Sequence, residues 1–319
     1  MSPSTVAIVV TFNSARYIAE CLSSLSESLP TVTIVVVDNA SSDETVAIVK
    51  EFFHKVIVIE TGVNLGYAGG NNVGLRYAQA GGYDFALIAN PDCTFSKSCV
   101  PALVGALIRH PNVAAASPVI FRADRQTLWY AGADLDVRRG TSYHVTELPR
   151  PLPGSDIAIT GRANGCAMLV RLSTMRALGL FDERYFLYYE EVEWCARCAR
   201  SGMSIALVPE AVAFHDVGHG VADMSQSYHY YMTRNRLMFI QQHGGHILPV
   251  LPYCLYTSLR TVAFIMRRSV RQGMVQVGSI VKGYVDFARG RAGGQPVTFS
   301  WWPVRAKLTP EVMTRGGIL

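Results

Sequence analysis

Three short β-branched runs, at residues 5–11, 32–37 and 56–59, alternate with stretches of helical periodicity. This alternation limits the fold more than any other feature of the chain. Ile18, Leu22, Leu25 and Leu29 recur at helical spacing after the first run. Val46, Val49 and Phe53 do so after the second, where Ser41 and Glu44 have the spacing of a capping box. Strand and helix in this order, joined by short turns, require crossover connections and therefore a mainly parallel, doubly wound α/β sheet. Further strands are expected over residues 85–89, 113–121, 166–170 and 205–208, with Ser173 capping a short helix. Half of the 319 residues are hydrophobic and only 17% are charged, so a sizeable core is available.

Polar residues gather where these strands end. Asp38-Asn39 follows the second run, the glycine-rich stretch 64–74 the third, and Asn90-Pro91-Asp92 the fourth. Open α/β sheets bind ligands outside the carboxyl ends of their strands, so three polar ends in one half mark a candidate site. The glycine stretch is neither a dinucleotide fingerprint nor a P-loop. It is an ordinary turn, or a close approach to a ligand with helix-start N–H groups offered to an anion. Residues 185–194 set Glu190, Glu191 and Glu193 among Tyr185, Tyr188, Tyr189 and Trp194 at an expected helix start. Such acids either complement the helix dipole or supply a general base with an aromatic wall. By helical geometry Glu190 and Glu193 share one face while Glu191 looks elsewhere.

His215 and His219, beside Asp216 at a strand end, have the spacing of metal ligands. Arg234, on a helix expected over residues 226–242, is a helix-face ion pair or a cation facing a phosphate. Cys195 and Cys198 form a C-x-x-C inside a helix without a second pair, a weak zinc or redox signal. Residues 122–159, rich in Pro, Gly and charge, form a long excursion, partly mobile and placed to cover a substrate.

The bulk numbers bound the partners. A net charge of +5 without interleaved aromatic and basic residues excludes a nucleic-acid-binding motif. Seven cysteines without framework spacing fit a reducing cytosol, and the first five residues lack the pattern of a secretory leader. Residues 246–266 are apolar apart from Arg260, interrupted by Pro249 and Pro252, and followed by Arg267, Arg268, Arg271 and Lys282. This suits an interfacial helix on an anionic membrane surface better than soluble packing or a true crossing.

In order along residues 5–240, the motifs Val10-Thr11-Phe12-Asn13, residues 37–43, Asn64-Leu65-Gly66 with residues 68–72, Asn90-Pro91-Asp92, Phe181-Asp182-Glu183 with residues 186–193, and His215 resemble the family 2 glycosyltransferases of the GT-A fold. The similar branch includes bacterial rhamnosyltransferases. The resemblance implies a Rossmann-like nucleotide-sugar domain over residues 1–244 and a C-terminal helical, membrane-associating extension over 245–319. It implies metal-dependent, inverting transfer from a nucleotide-diphosphate sugar, rhamnose from dTDP-rhamnose, to a saccharide or lipid-linked acceptor in surface polysaccharide synthesis. Asp38 would accept a hydrogen bond from the base, with Thr11, Asn13 and Asn39 beside it. Gly66, Ala68, Gly70 and Asn71 would pack on nucleotide and sugar. Asn90 stands where the family's D-x-D motif has its first carboxylate. Asp92 would then be the metal carboxylate and His215 the second ligand for Mg²⁺ or Mn²⁺. Glu191 aligns with the usual base, and Glu190 orients or replaces it. Tyr188, Tyr189 and Trp194 would stack on an acceptor sugar. The implied location is cytoplasmic, peripheral at the inner face of the cell membrane, and an oligomer is compatible with the sequence. The competing readings are a polyprenyl-phosphate glycosyltransferase and a catalytically silent nucleotide-sugar-binding partner.

Overall fold

The computed structural model describes residues 3–145, 147–148, 155–216, 226–267 and 269–295. The chain opens with β1 (Thr5–Thr11), α1 (Ile18–Ser28), β2 (Thr33–Asp38), α2 (Thr45–Phe52), β3 (Ile57–Glu60), α3 (Gly66–Ala80) and β4 (Phe85–Ala89). β5 (Cys93–Phe95), α4 (Cys99–Arg109), β6 (Val113–Arg122), β7 (Leu128–Tyr130), β8 (Ala133–Asp136), β9 (Thr141–His144) and β10 (Ala158–Thr160) follow. Then come β11 (Ala167–Arg171), α5 (Leu172–Leu178), α6 (Glu190–Arg200), β12 (Ser204–His215) and α7 (Gln226–Phe239). A π turn, Ile240–Gly244, leads to α8 (Leu251–Met266) and α9 (Val270–Ala288).

The expected sheet is present, in the order β10-β12-β6-β11-β4-β1-β2-β3. β4, β1, β2 and β3 run parallel, as do β6 and β12; β11 runs antiparallel between β4 and β6. Alternation along β1 splits the core. Ala7 and Val9 face Leu22 and Leu25 of α1 and Leu103 of α4. Val6 and Ile8 face Leu75 of α3, Met175 of α5 and Trp194 of α6. Each buried Val, Leu, Ile or Met among them contributes about 1.5–3 kcal/mol by leaving water.

Helix starts depart from the sequence expectation. The Ser41–Glu44 capping box does not form, because the Ser41 hydroxyl donates to Asp38 Oδ1 at 2.5 Å; Asp43 Oδ1 instead accepts the Thr45 N–H at 3.0 Å. Ser173 lies inside α5, whose N-cap is Arg171, and makes no cap. β12 does not stop at Val208: a bulge between Val208 and Val212 carries it past Pro209 to His215. The excursion contributes β7 to β10 rather than unstructured chain, with β8 and β9 forming a hairpin; residues 146 and 149–154 lie outside the described residues.

The C-terminal helices pack on α7. Asp286, 1% exposed on α9, accepts hydrogen bonds from Tyr230 (2.9 Å) and Arg291 (3.2 Å) and from Lys282. Leu237, Ile240 and Cys254 meet Tyr284 and Phe287 in a separate apolar cluster. Among the described residues, no helix is long and apolar enough to cross a membrane.

One glycine sets how closely α3 approaches the sheet. A Cβ at Gly74 would fall on the Ile8 side chain of β1, with Ile8 Cγ1 at 3.1 Å. Gly74→Leu raises helix propensity yet forces α3 off β1, at a cost of about 1–3 kcal/mol. Thermal denaturation is expected to show a melting point several degrees lower; an unchanged one would contradict this packing.

Candidate active site

The carboxyl ends of β1 and β2 form a tight polar knot. Asp38 is 2% exposed; its Oδ1 accepts from Thr11 Oγ1 at 3.0 Å and its Oδ2 from the Ser41 N–H at 2.9 Å. Asn13, in the left-handed region at φ 52°, accepts the Ser42 N–H at 2.8 Å and so ties the two loops together. Asn39 donates to the Gly66 carbonyl at 2.9 Å, and its buried Oδ1 has no partner. The Asn71 Oδ1 is likewise buried and unpartnered. Gly66 (φ 72°) and Gly70 are indispensable here, since a Cβ would strike the Phe186 carbonyl at the first and Val10 Cγ1, 2.6 Å away, at the second. Two N–H groups expected to face an anion are taken internally: Gly66 N–H by Asn64 Oδ1 (2.8 Å) and Ala68 N–H by the Phe186 carbonyl (3.2 Å).

None of Thr11, Asn13, Asp38 and Asn39 lines the cavity of about 1080 Å³ on which other expected site residues meet. Asn90, Asp92, Glu190, Glu191 and His215 all line it, whereas Gly66, Ala68, Gly70 and Asn71 do not. His215 arrives at the end of β12, directly opposite Cys93 of β5. Its Nε2 stands 3.1 Å from Asp92 Oδ1, and neither that oxygen nor His215 Nδ1 has a satisfactory hydrogen-bond partner. Asp92 also borders a hollow of about 210 Å³ flanked by Arg16 and Arg125. His219 lies outside the described residues.

The two acids at the start of α6 sit side by side in unlike surroundings. Glu190 is 3% exposed, and its Oε2 has no partner. Burial, with the neighbouring Glu191 second, holds its carboxyl well above the usual carboxylate range. Glu191 faces Arg162, with Oε1 3.4 Å from Nη1. Arg162 is anchored by Ser142 Oγ (2.7 Å), the Ala163 carbonyl (3.1 Å) and His144 Nε2 (2.9 Å). Burial, followed by the Arg162 charge, lowers His144 to about 4, so its imidazole is neutral and accepts from the guanidinium.

Glu190 and Glu193 are both buried, one turn apart on α6, as helical spacing requires, while Glu190 and Glu191 line the cavity. Glu193 is drawn away by Arg197 (2.8 Å) and His243 (3.0 Å). Several expectations about this helix are corrected. Trp194 is fully buried, against Phe181 and bonded to the Gly179 carbonyl at 3.1 Å, so it cannot stack on a sugar. Tyr188 and Tyr189 both line the cavity, and Tyr189 is held there by Phe239 and by its hydrogen bond to the Gly140 carbonyl. Arg234 is 0% exposed and cannot meet a phosphate. It donates to the carbonyls of Arg184 (3.1 Å), Tyr185 (3.0 Å) and Gly293 (2.7 Å), and Asn235 donates to those of Tyr185, Leu187 and Tyr188 at 2.7–2.9 Å. Cys195 and Cys198 are buried in the core under α6. Sequence reasoning missed Arg162, the Arg234–Asn235 grip and the far wall, where Arg236, Thr257, Ser258, Thr261 and Tyr284 complete the cavity. An arginine two residues before Asn164-Gly165 has no local pattern to announce it.

Comparison with known proteins is consistent across three levels. Residues 6–165 match the model of Glycosyl transferase family 2. An N-acetylglucosaminyl-diphospho-decaprenol L-rhamnosyltransferase of Mycobacterium tuberculosis is 27% identical over 306 residues, covering 86% of this chain and 97% of the relative. A galactofuranosyltransferase of the same organism is 31% identical over 227 residues, covering 68% and 72%. The fold is similar to a mannosyltransferase of Pyrobaculum calidifontis solved with GDP-Man and Mn²⁺, with a TM-score of 0.58, 16% identity, and coverage of 91% and 88%. The expected GT-A fold is the one observed.

The Glu190 environment has a pH signature. Its proton is held to higher pH in the folded chain than in the unfolded one, where a Glu titrates near about 4.3. Its effect on stability is therefore constant below that value and increasingly unfavourable as pH rises towards the folded value. Glu190→Gln cannot ionise, so calorimetry should show its melting point gaining on wild type as pH rises above about 4.3. A pH-independent difference would place Glu190 in a solvated site.

Proposed function

The chain belongs to glycosyl transferase family 2, and on that premise we propose a metal-dependent, inverting transfer of rhamnose from dTDP-rhamnose to a lipid-linked saccharide. The observation that carries this reading is the convergence of Asp92, His215, Glu190 and Glu191 on one cavity. Asp92 Oδ1, a buried carboxylate oxygen, and His215 Nε2, 3.1 Å from it, are the oxygen and nitrogen ligands that would hold a Mn²⁺ or Mg²⁺ ion. Such an ion, when bound, supplies positive charge against the departing diphosphate.

The chain's own groups do the rest. The Asp38 knot, with Thr11, Asn13 and Asn39, binds the base. Asn39 and Asn71 each hold a buried amide oxygen free to accept from the donor. Glu191 removes the acceptor hydroxyl proton as that oxygen attacks the anomeric carbon and the bond to the diphosphate breaks. Arg162 fixes the Glu191 carboxylate in direction and favours its charged form. Glu190, buried beside the Glu191 charge, favours the neutral form, which leaves Glu191 as the base.

The far wall suits the acceptor. Arg236 binds the Arg139 carbonyl and Thr257 Oγ1, its Nη2 is unpartnered, and no ion pair to it occurs among the described residues. An acceptor phosphate would satisfy it, in keeping with the rhamnosyltransferase relative whose name gives a diphospho-decaprenol acceptor. α8 shows Leu255, Tyr256, Leu259 and Phe264 to the outside, with Leu248 just before it. Residues 245–295 thus serve both as a cavity wall and as a peripheral contact with the inner membrane face.

The deciding experiment measures nucleoside diphosphate release from a panel of nucleotide sugars, with and without Mn²⁺ or Mg²⁺. Metal-dependent release from dTDP-rhamnose is expected; no binding of any donor would sink the proposal. Glu191→Gln should lower transfer by about 10²–10⁴-fold while donor affinity stays within a factor of two or so. Transfer near the wild-type rate would remove Glu191 from the role of base.

A further inference from the structure

Behind the Asp92–His215 pair lie two thiols, Cys93 and Cys166, to which the transfer reaction gives no role. Ligand atoms of Cys93, Cys166 and His215 lie within 4.8 Å of one another, and all three residues are buried. Three strands bring them together. Cys93 on β5 and His215 on β12 are direct register partners, so both side chains leave the same face of the ladder. Cys166 immediately precedes β11, and its carbonyl accepts the Asn90 N–H at 2.9 Å, which pulls it under the same loop. Cys166 and His215 both line the large cavity, which gives an ion a path from solvent. No disulfide is formed, and both thiols are free.

We propose that Cys93, Cys166 and His215 form a binding site for a thiophilic divalent ion, Zn²⁺ or Cd²⁺, whose occupancy inhibits sugar transfer. Two sulfurs and one imidazole are a donor set for zinc, which binds sulfur at about 2.3 Å and nitrogen at about 2.0–2.1 Å. Tetrahedral geometry at those lengths sets ligand atoms roughly 3.3–3.8 Å apart, so the cluster closes on the ion with small side-chain movements. The fourth position opens on the cavity and takes water. Binding releases the thiol protons to solvent and oxidises nothing. Mg²⁺ and Mn²⁺ prefer oxygen-rich sites and compete poorly for the two sulfurs.

Inhibition follows from the imidazole. A neutral histidine has one nitrogen lone pair; its other nitrogen carries a proton. An ion on the two cysteines takes that lone pair, and His215 can no longer serve an ion beside Asp92. The inhibitory arm rests on the proposed role of His215, but the binding arm does not. The donor site and the thiol site share one ligand, so they exclude each other.

The test uses the purified full chain, stripped of metal, with Cd²⁺ alone as the probe. One equivalent should saturate a thiolate-to-cadmium charge-transfer absorption. The band should vanish in Cys166→Ala and Cys93→Ser and persist in Cys195→Ser and Cys198→Ser. No band, or a band that survives both of the first two variants, overturns the proposal. X-ray absorption on the zinc-loaded Cys195→Ser protein needs neither buried-site variant: two sulfurs at about 2.3 Å are expected, and a shell of nitrogen and oxygen alone refutes the site. In donor-turnover assays at saturating Mn²⁺, one equivalent of Zn²⁺ should lower the rate at least about tenfold, with recovery on adding a zinc chelator. Turnover indifferent to Zn²⁺ despite the cadmium band overturns the inhibitory coupling. Absence of any turnover, with the band present, counts against the transfer reading and leaves the thiol site standing.

Discussion

Everything at the catalytic end depends on how Arg234 and Asn235 hold the backbone before α6. Phe186, Tyr188 and Tyr189 adopt φ values of 65°, 66° and 78°, a region that bulky residues avoid at roughly 1–3 kcal/mol each. Five bonds from the two side chains to the carbonyls of residues 184–188 hold this path. The path decides which way the first turn of α6 faces, and so sends Glu190 and Glu191 into the cavity. The same loop offers the Phe186 carbonyl to the Ala68 N–H, coupling the start of α3 to the acids. A buried arginine surrounded by carbonyls is costly unless its donors are used; here its polar neighbours lie on elements far apart in sequence.

The two acids show how position alone differentiates identical side chains. Glu190 is buried with an unpartnered Oε2 and no ion pair among the described residues, whereas Glu191 has a guanidinium that is itself tethered to Ser142 and His144. Those tethers come from β9, a strand in the long excursion between β6 and β11. The excursion is thus a scaffold for the charge that faces Glu191. On the opposite side, β12 and β5 bring His215 to Asp92, so the large sheet and the separate β8–β9 hairpin both contribute to the cavity.

Much of the fold was legible because burial leaves period-two and period-3.6 traces. The β1-to-β4 half followed from those traces alone, and its polar strand ends pointed at a site. Legibility failed where tertiary contacts override local preference. Ser41 had the spacing of a cap but found Asp38 a better acceptor. Pro209 suggested a strand end, yet a bulge absorbs it. Trp194 sat among acids in sequence and went to the core, because α6 turns that face towards Phe181 and Leu172. Arg234 gave no hint that its partners would be carbonyls about fifty residues earlier. Short strands such as β5 and β7 bury too few residues to leave a periodic trace, and the meeting of Cys93 with His215 was hidden with them.

The grip on residues 184–188 is closed from both directions of the chain. Asn235 reaches back 50 residues to Tyr185, and Arg234 reaches forward 59 to Gly293. A ribosome adding roughly 5–20 residues per second therefore needs about another 5–20 seconds after Tyr185 to deliver the whole clasp. During that interval the β1-to-β4 half has its full complement of strands and helices, while the loop bearing the acids still lacks its fastenings. The order of synthesis thus makes the β1-to-β4 half available first and leaves the loop before α6 without its full clasp until the chain has passed α9.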